Sequence, residues 1–125
     1  MSGASHVILQ LGELGIIEVG VPDQARAEAE RNLAAELPAA LPALRALMDG
    51  CCIGLAMASN AESAAIADSG EADPKEAPIL ASALAAGCDW LVTFNVRDYR
   101  TDRIRVSKPA DFIEALRGEL LRLGQ

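Results

Sequence analysis

Residues 73–99, DPKEAPILASALAAGCDWLVTFNVRDY, decide the fold. Asp73 is a good N-cap, Pro74 suits the first helical position, and Glu76 stands three residues after the cap. Ile79, Leu80, Ala83 and Leu84 recur at helical spacing, which gives the helix one apolar face. Gly87 ends it as a left-handed cap does. Trp90, Leu91 and Val92 then form a short apolar run, typical of a parallel strand covered on both faces. Beyond the run the side chains turn polar, at Thr93, Asn95, Arg97 and Asp98. In open α/β sheets the ligand crevice lies past the carboxyl ends of the strands. Glu76 at a helix start and Asp98 beyond a strand end are therefore expected to converge on one site.

The rest of the chain alternates in the same manner. A first helix is expected over residues 2–14, capped by Ser2 or Ser5, with Val7, Ile8, Leu11 and Leu14 on one face, weakened by Gly12 and ended by Gly15. Ile16–Val21 reads as a strand stopped by Pro22. Asp23 opens a long helix to about Leu37, its inner face Ala25, Ala29, Leu33 and Leu37. A second helix between Pro38 and Met48 ends at an Asp49–Gly50 turn. Cys52–Met57 is a short strand, and Asn60 caps a helix to Asp68. Ile104–Ser107 is the last strand. Pro109 opens a final helix with an apolar stripe of Phe112, Ile113, Leu116, Leu120 and Leu123. Alternating helices and strands predict an α/β fold, a three-layer sandwich with a central, mainly parallel sheet.

The 125 residues suit one domain. Hydrophobic residues make up 51% and aromatics only 3%, so the core must be aliphatic. No apolar run approaches the ~20 residues of a membrane helix, and no signal peptide is read. Cys51, Cys52 and Cys88 lack zinc-ligand spacing and read as reduced, small buried residues, which predicts a cytoplasmic location. A net charge of −7 argues against a charge-driven, nonspecific nucleic-acid binder. It is compatible with carboxylates clustered around a cation. Arg97, Arg100, Arg103, Arg105 and Lys108 form a local basic stretch, either a phosphate-facing edge or a solvated loop. No phosphate-binding glycine loop, nucleophile elbow or CxxC is present.

The Glu76 helix start, the LVTFN strand end (Leu91–Asn95), the Asp98–Tyr99 pair and the downstream IRVSKPADFIEAL (Ile104–Leu116) together resemble the C-terminal half of a PIN domain. This is the metal-dependent nuclease fold of many bacterial ribonuclease toxins. The resemblance implies a Mg²⁺- or Mn²⁺-dependent endoribonuclease, in which Glu76 and Asp98 hold the metal with Glu28 as third acid. It places Thr93, Asn95 and Arg97 on the substrate side. On pattern alone, Glu28 reads as a surface residue that pairs with Arg31 or faces water, and only the resemblance sets a site role beside that reading. RNA is the implied substrate, and an antitoxin-like protein and a homodimer are the implied partners.

The family opens with a strand carrying a metal-binding aspartate, in a context such as LDTN, in the middle of a sheet of order 3-2-1-4-5. This sequence has no such segment, so the first strand is missing from the expected sheet. Its neighbours are then expected to pair directly, to receive a strand from another chain, or to belong to a protein whose start lies upstream. The alternative function is a catalytically impaired PIN-like module acting through dimerisation or an antitoxin-like partner.

Overall fold

The computed structural model describes residues 3–124. The chain is α/β, and its elements follow the order read from the sequence. They are α1 (Ala4–Glu13), β1 (Gly20–Pro22), α2 (Asp23–Glu36), α3 (Leu41–Cys51), β2 (Ile53–Leu55), α4 (Asn60–Ser69), α5 (Ala77–Ala85), β3 (Trp90–Val92), β4 (Arg105–Ser107) and α6 (Pro109–Leu123). Short 3-10 turns at Pro38–Ala40 and Val96–Asp98 complete the set.

The strands form two separate parallel ladders in place of one continuous sheet. β1 pairs with β2, Gly20 opposite Ile53, and β3 pairs with β4, Trp90 opposite Arg105. Direct closure of the sheet by pairing β1 with β3 does not occur. The strand expected over Ile16–Val21 shrinks to Gly20–Pro22, because only that length finds a partner.

Chain breaks follow backbone chemistry closely. After α5, the N–H of Gly87 donates to Leu84 O and that of Cys88 to Ala83 O, while Gly87 takes φ +73°. These two bonds define a Schellman cap, which favours glycine because L side chains resist positive φ. Gly12 has a different task. A Cβ there would lie 2.7 Å from the Cys51 carbonyl oxygen and 2.9 Å from Val19, so its missing side chain lets α1 approach the end of α3.

Several local expectations need correction. Ser2, one proposed cap, lies outside the described residues; Ser5 is inside α1, and Gly3 takes the cap position. Asp49 and Gly50 do not turn but continue α3 to Cys51, where the Asp49 carboxylate meets Arg26 at 3.0 Å. The α4 cap is Ser59, whose Oγ accepts from the Glu62 N–H at 3.1 Å; the Ser-x-x-Glu spacing of a capping box places it one residue before Asn60. Asp73 does not cap α5 with its side chain. Its carbonyl accepts from the Glu76 and Ala77 N–H groups in a preceding turn, and its carboxylate is drawn to Arg100.

The core is one-sided. Ile66, Ala72, Ala77, Leu80, Ala81, Ala83, Leu91, Tyr99 and Ile104 form a continuous buried cluster around α5 and β3. Ser82, buried among them, donates to Pro78 O and accepts from the Ala58 N–H. The expected inner faces of α1 and α2 bury no residue fully, and in α3 only Cys51 is buried. The α6 stripe is buried at Phe112 and runs out into solvent, Leu123 being 81% exposed. Two-stranded ladders are too narrow to cover the helices beside them.

The two helical glycines give opposite expectations. Gly12→Ala should lower stability by about 1–3 kcal/mol through overpacking against Cys51 and Val19. Gly50→Ala, where a Cβ meets open space, should raise it by up to about 1 kcal/mol. Urea unfolding midpoints at constant m-value measure both.

Candidate functional site

The turn before α5 and the turn after β3 are tied together by main-chain bonds. Ala72 and Tyr99 form an antiparallel bridge. The Asp73 N–H donates to Asp98 O at 3.0 Å, and the Arg100 N–H to Glu71 O at 2.6 Å. This tie brings Glu76 to the same place as Asp98 and Tyr99. The Tyr99 hydroxyl donates to Glu76 Oε2 at 3.3 Å. Burial, then the negative charge of Glu76 and its hydrogen bond, then the charge of Asp98, push the Tyr99 phenol well above its ordinary value. Both carboxylates therefore act on one buried hydroxyl.

Four acids cluster at these turns, and their partners divide them. Asp73 is held by Arg100 Nη2 at 2.7 Å. Glu71 accepts from Arg103 Nε at 2.9 Å, Arg103 Nη2 at 3.0 Å and the Thr101 hydroxyl at 2.8 Å. The bonds to Arg103 and Thr101 pull the Glu71 carboxyl down to about 2. Among the described residues, Glu76 and Asp98 have no such cation. The basic stretch is thus partly spent inside the molecule: Arg100 and Arg103 close the two ion pairs, and Arg105 lies over the Trp90 ring at 5.2 Å. Arg97 is exposed and forms no ion pair among the described residues.

The polar residues after β3 build the turn that carries Asp98. The Thr93 N–H continues the ladder to Ser107 O, and the Thr93 hydroxyl accepts from the Asn95 N–H at 3.1 Å. Asn95 O in turn accepts from the Asp98 N–H. Phe94 stands out of this turn, 72% exposed. Glu28 lies on the exposed face of α2; neither an ion pair with Arg31 nor a side-chain bond to Glu76 or Asp98 occurs among the described residues. Those residues contain no cluster of three or more His, Cys, Asp or Glu placed to hold a metal ion. All three cysteines are free thiols; Cys51 is buried, Cys52 and Cys88 half-buried. Burial raises the pKa of both half-buried thiols.

From the sequence, Asp73 reads only as a helix cap and Tyr99 only as part of the Asp98–Tyr99 pair, and neither is expected to have the partner found here. The signal for Tyr99 is present in the sequence: the chain's single tyrosine needs a partner for its hydroxyl once buried. Asp73 was hidden because a cap and an ion-pair partner look alike in sequence. No helix among the described residues is long and apolar enough to cross a membrane. No protein-family model, curated protein or solved structure matches the chain.

Two titrations test this arrangement. Tyr99 is the only tyrosine, so absorbance at alkaline pH should show one phenol ionising well above ~10, and Glu76→Gln should bring it down. Glu71 is ordinary, near ~4.3, when unfolded and depressed when folded. Its stabilisation is therefore complete above that value and lost as pH falls towards 2. Glu71→Gln should flatten the fall of Tm over this acidic window while lowering Tm at pH 7.

Proposed function

We propose that the chain is a PIN-like, metal-dependent endoribonuclease acting on single-stranded RNA. The observation that carries this reading is the gathering of Glu76 and Asp98, without a neutralising guanidinium, around Tyr99 beyond the carboxyl end of β3. The strand pairing supports it as well. Ladders β2–β1 and β3–β4 agree with the family's strand order when the central place is left between β1 and β3. In this reading the two ladders are halves of one mainly parallel sheet, the middle layer of a three-layer sandwich.

Two carboxylates suit Mg²⁺ or Mn²⁺, since a small hard cation takes one or two carboxylates and fills its remaining positions with water and phosphate oxygens. Such an ion, when bound, supplies charge neutralisation on the phosphate and activation of water. Glu76 and Asp98 hold it, and the Tyr99 hydroxyl fixes the Glu76 carboxylate. Arg97 meets a flanking phosphate, Thr93 and Asn95 shape the turn beside it, and exposed Phe94 offers a stacking surface for an unpaired base. Glu28 is the third acid of the resemblance, and its contribution is the smallest of the three.

Purified protein with Mg²⁺ or Mn²⁺ should cleave unstructured RNA. Glu76→Gln and Asp98→Asn should each reduce the rate on the order of 10²-fold or more, as loss of several kcal/mol of charge stabilisation requires. Phe94→Ala should weaken RNA binding with less effect on the bound rate. No cleavage with any divalent ion would remove the nuclease reading. The second reading then applies, a catalytically impaired PIN-like module acting through dimerisation or an antitoxin-like partner. The split sheet favours it, because its open edges are suited to another chain.

A further inference from the structure

A cavity of about 470 Å³ lies between the two ladders. Its walls include Gly20 of β1 and Trp90 and Val92 of β3, and its other lining includes Ile8, Ile17 and Phe112. The hydrogen bonds show which way the strand edges face. The Ile53 N–H donates to Val19 O, on one side of Gly20. In a parallel ladder this commits the residues flanking Gly20 to β2, and turns Gly20's own N–H and C=O to the opposite edge. On the other wall, the Arg105 N–H donates to Asp89 O and the Thr93 N–H to Ser107 O. Asp89, Leu91 and Thr93 thus face β4, and Trp90 and Val92 direct their main-chain groups away from it. Gly20, Trp90 and Val92, whose main-chain groups are free, all line the cavity, together with Val19 and Asp89 and with Ile53 and Leu55 of β2.

Size agrees with shape. Three residues of strand at ~3.3 Å each, a strand spacing of ~4.8 Å and a layer depth of ~10 Å enclose roughly 480 Å³. The lining is apolar except for Glu18 and Asp89. Glu18 stands two residues ahead of Gly20 and Asp89 one residue ahead of Trp90, and among the described residues no cation lines the cavity.

We propose that this cavity is an acceptor slot for one extended segment of another polypeptide, a β-branched apolar run led by a lysine or arginine, which pairs with the edges of β1 and β3 and joins the two ladders. The apolar run matches Ile8, Ile17 and Phe112, and the leading cation matches Glu18 and Asp89. A second copy of this chain is a poor occupant. Its β1 and β3 are themselves preceded by Glu18 and Asp89, so either edge brings like charges together. The slot needs neither a metal nor RNA and stands independently of the nuclease reading.

The test uses the full chain and its single tryptophan, Trp90, which lines the slot. Titration with the synthetic peptide Lys-Val-Ile-Val-Thr-Val should saturably shift Trp90 emission. The same peptide N-methylated at alternate residues should bind more than about tenfold more weakly, because it can no longer donate along one edge. A Glu-led peptide should lose about fivefold, and the Glu18→Lys/Asp89→Lys double variant should reverse that order. An unchanged Trp90 signal, equal binding of the N-methylated peptide, or a dimer by sedimentation that the peptide does not dissociate would each overturn the proposal. RNA cleavage assayed separately has no bearing on any of these outcomes.

Discussion

Main-chain groups in a sheet must be bonded along both edges or meet water, and this constraint governs the molecule. Each ladder here satisfies one side of its strands: β2 completes one edge of β1, and β4 one edge of β3. Gly20, Trp90 and Val92, on the remaining edges, line one cavity. Because neither ladder is wide, only one side of the molecule develops a full core. The cluster around Leu80 and Leu91 excludes water, whereas α1 and α2 stay half-covered. A parallel strand is ordinarily buried on both faces, and β2 departs from this, with Ile53 52% exposed.

Much of this architecture was legible in the residues. β3 and α6 coincide with their expected spans, and α2 differs by a residue at its end. Trp90–Val92 and Pro109–Leu123 carry strong, mutually consistent signals: an apolar run bounded by polar turns, and proline at a helix start followed by a helical stripe. Gly87 was legible because positive φ is a local requirement. Asp49–Gly50 misled because turn propensity is weak against a helix whose Asp49 finds Arg26 in space. Ile16–Val21 misled because β-branched residues favour a strand only where a partner exists, and the partner here reaches only Gly20–Pro22. The one-sided core was invisible for a related reason. Periodicity tells which face of a helix is apolar, but not whether anything is there to cover it.

The candidate site divides in the same way. That Glu76 and Asp98 come together follows from a helix start and a strand end on the same rim, and topology alone suggests it. Which acids keep their charge open does not follow. Asp73, Glu71, Glu76 and Asp98 are alike in sequence, and only the positions of Arg100 and Arg103 separate neutralised from open carboxylates. The arginine-rich stretch, read either as a phosphate edge or as a solvated loop, does a third thing: two of its members lock the turns beneath the site, and a third covers Trp90.

Those locks have a consequence for how the molecule comes apart. The bridge between Ala72 and Tyr99, the Asp73–Asp98 bond, and the ion pairs of Arg100 and Arg103 all lie within the well-packed side. Regions that bury little open at lower free energy than regions around a dense core. Residues 4–51 can therefore fray and re-form while the acid pair keeps its spacing. The bonds that hold the two turns together involve none of residues 4–51, so partial melting of the loose half would leave those bonds in place.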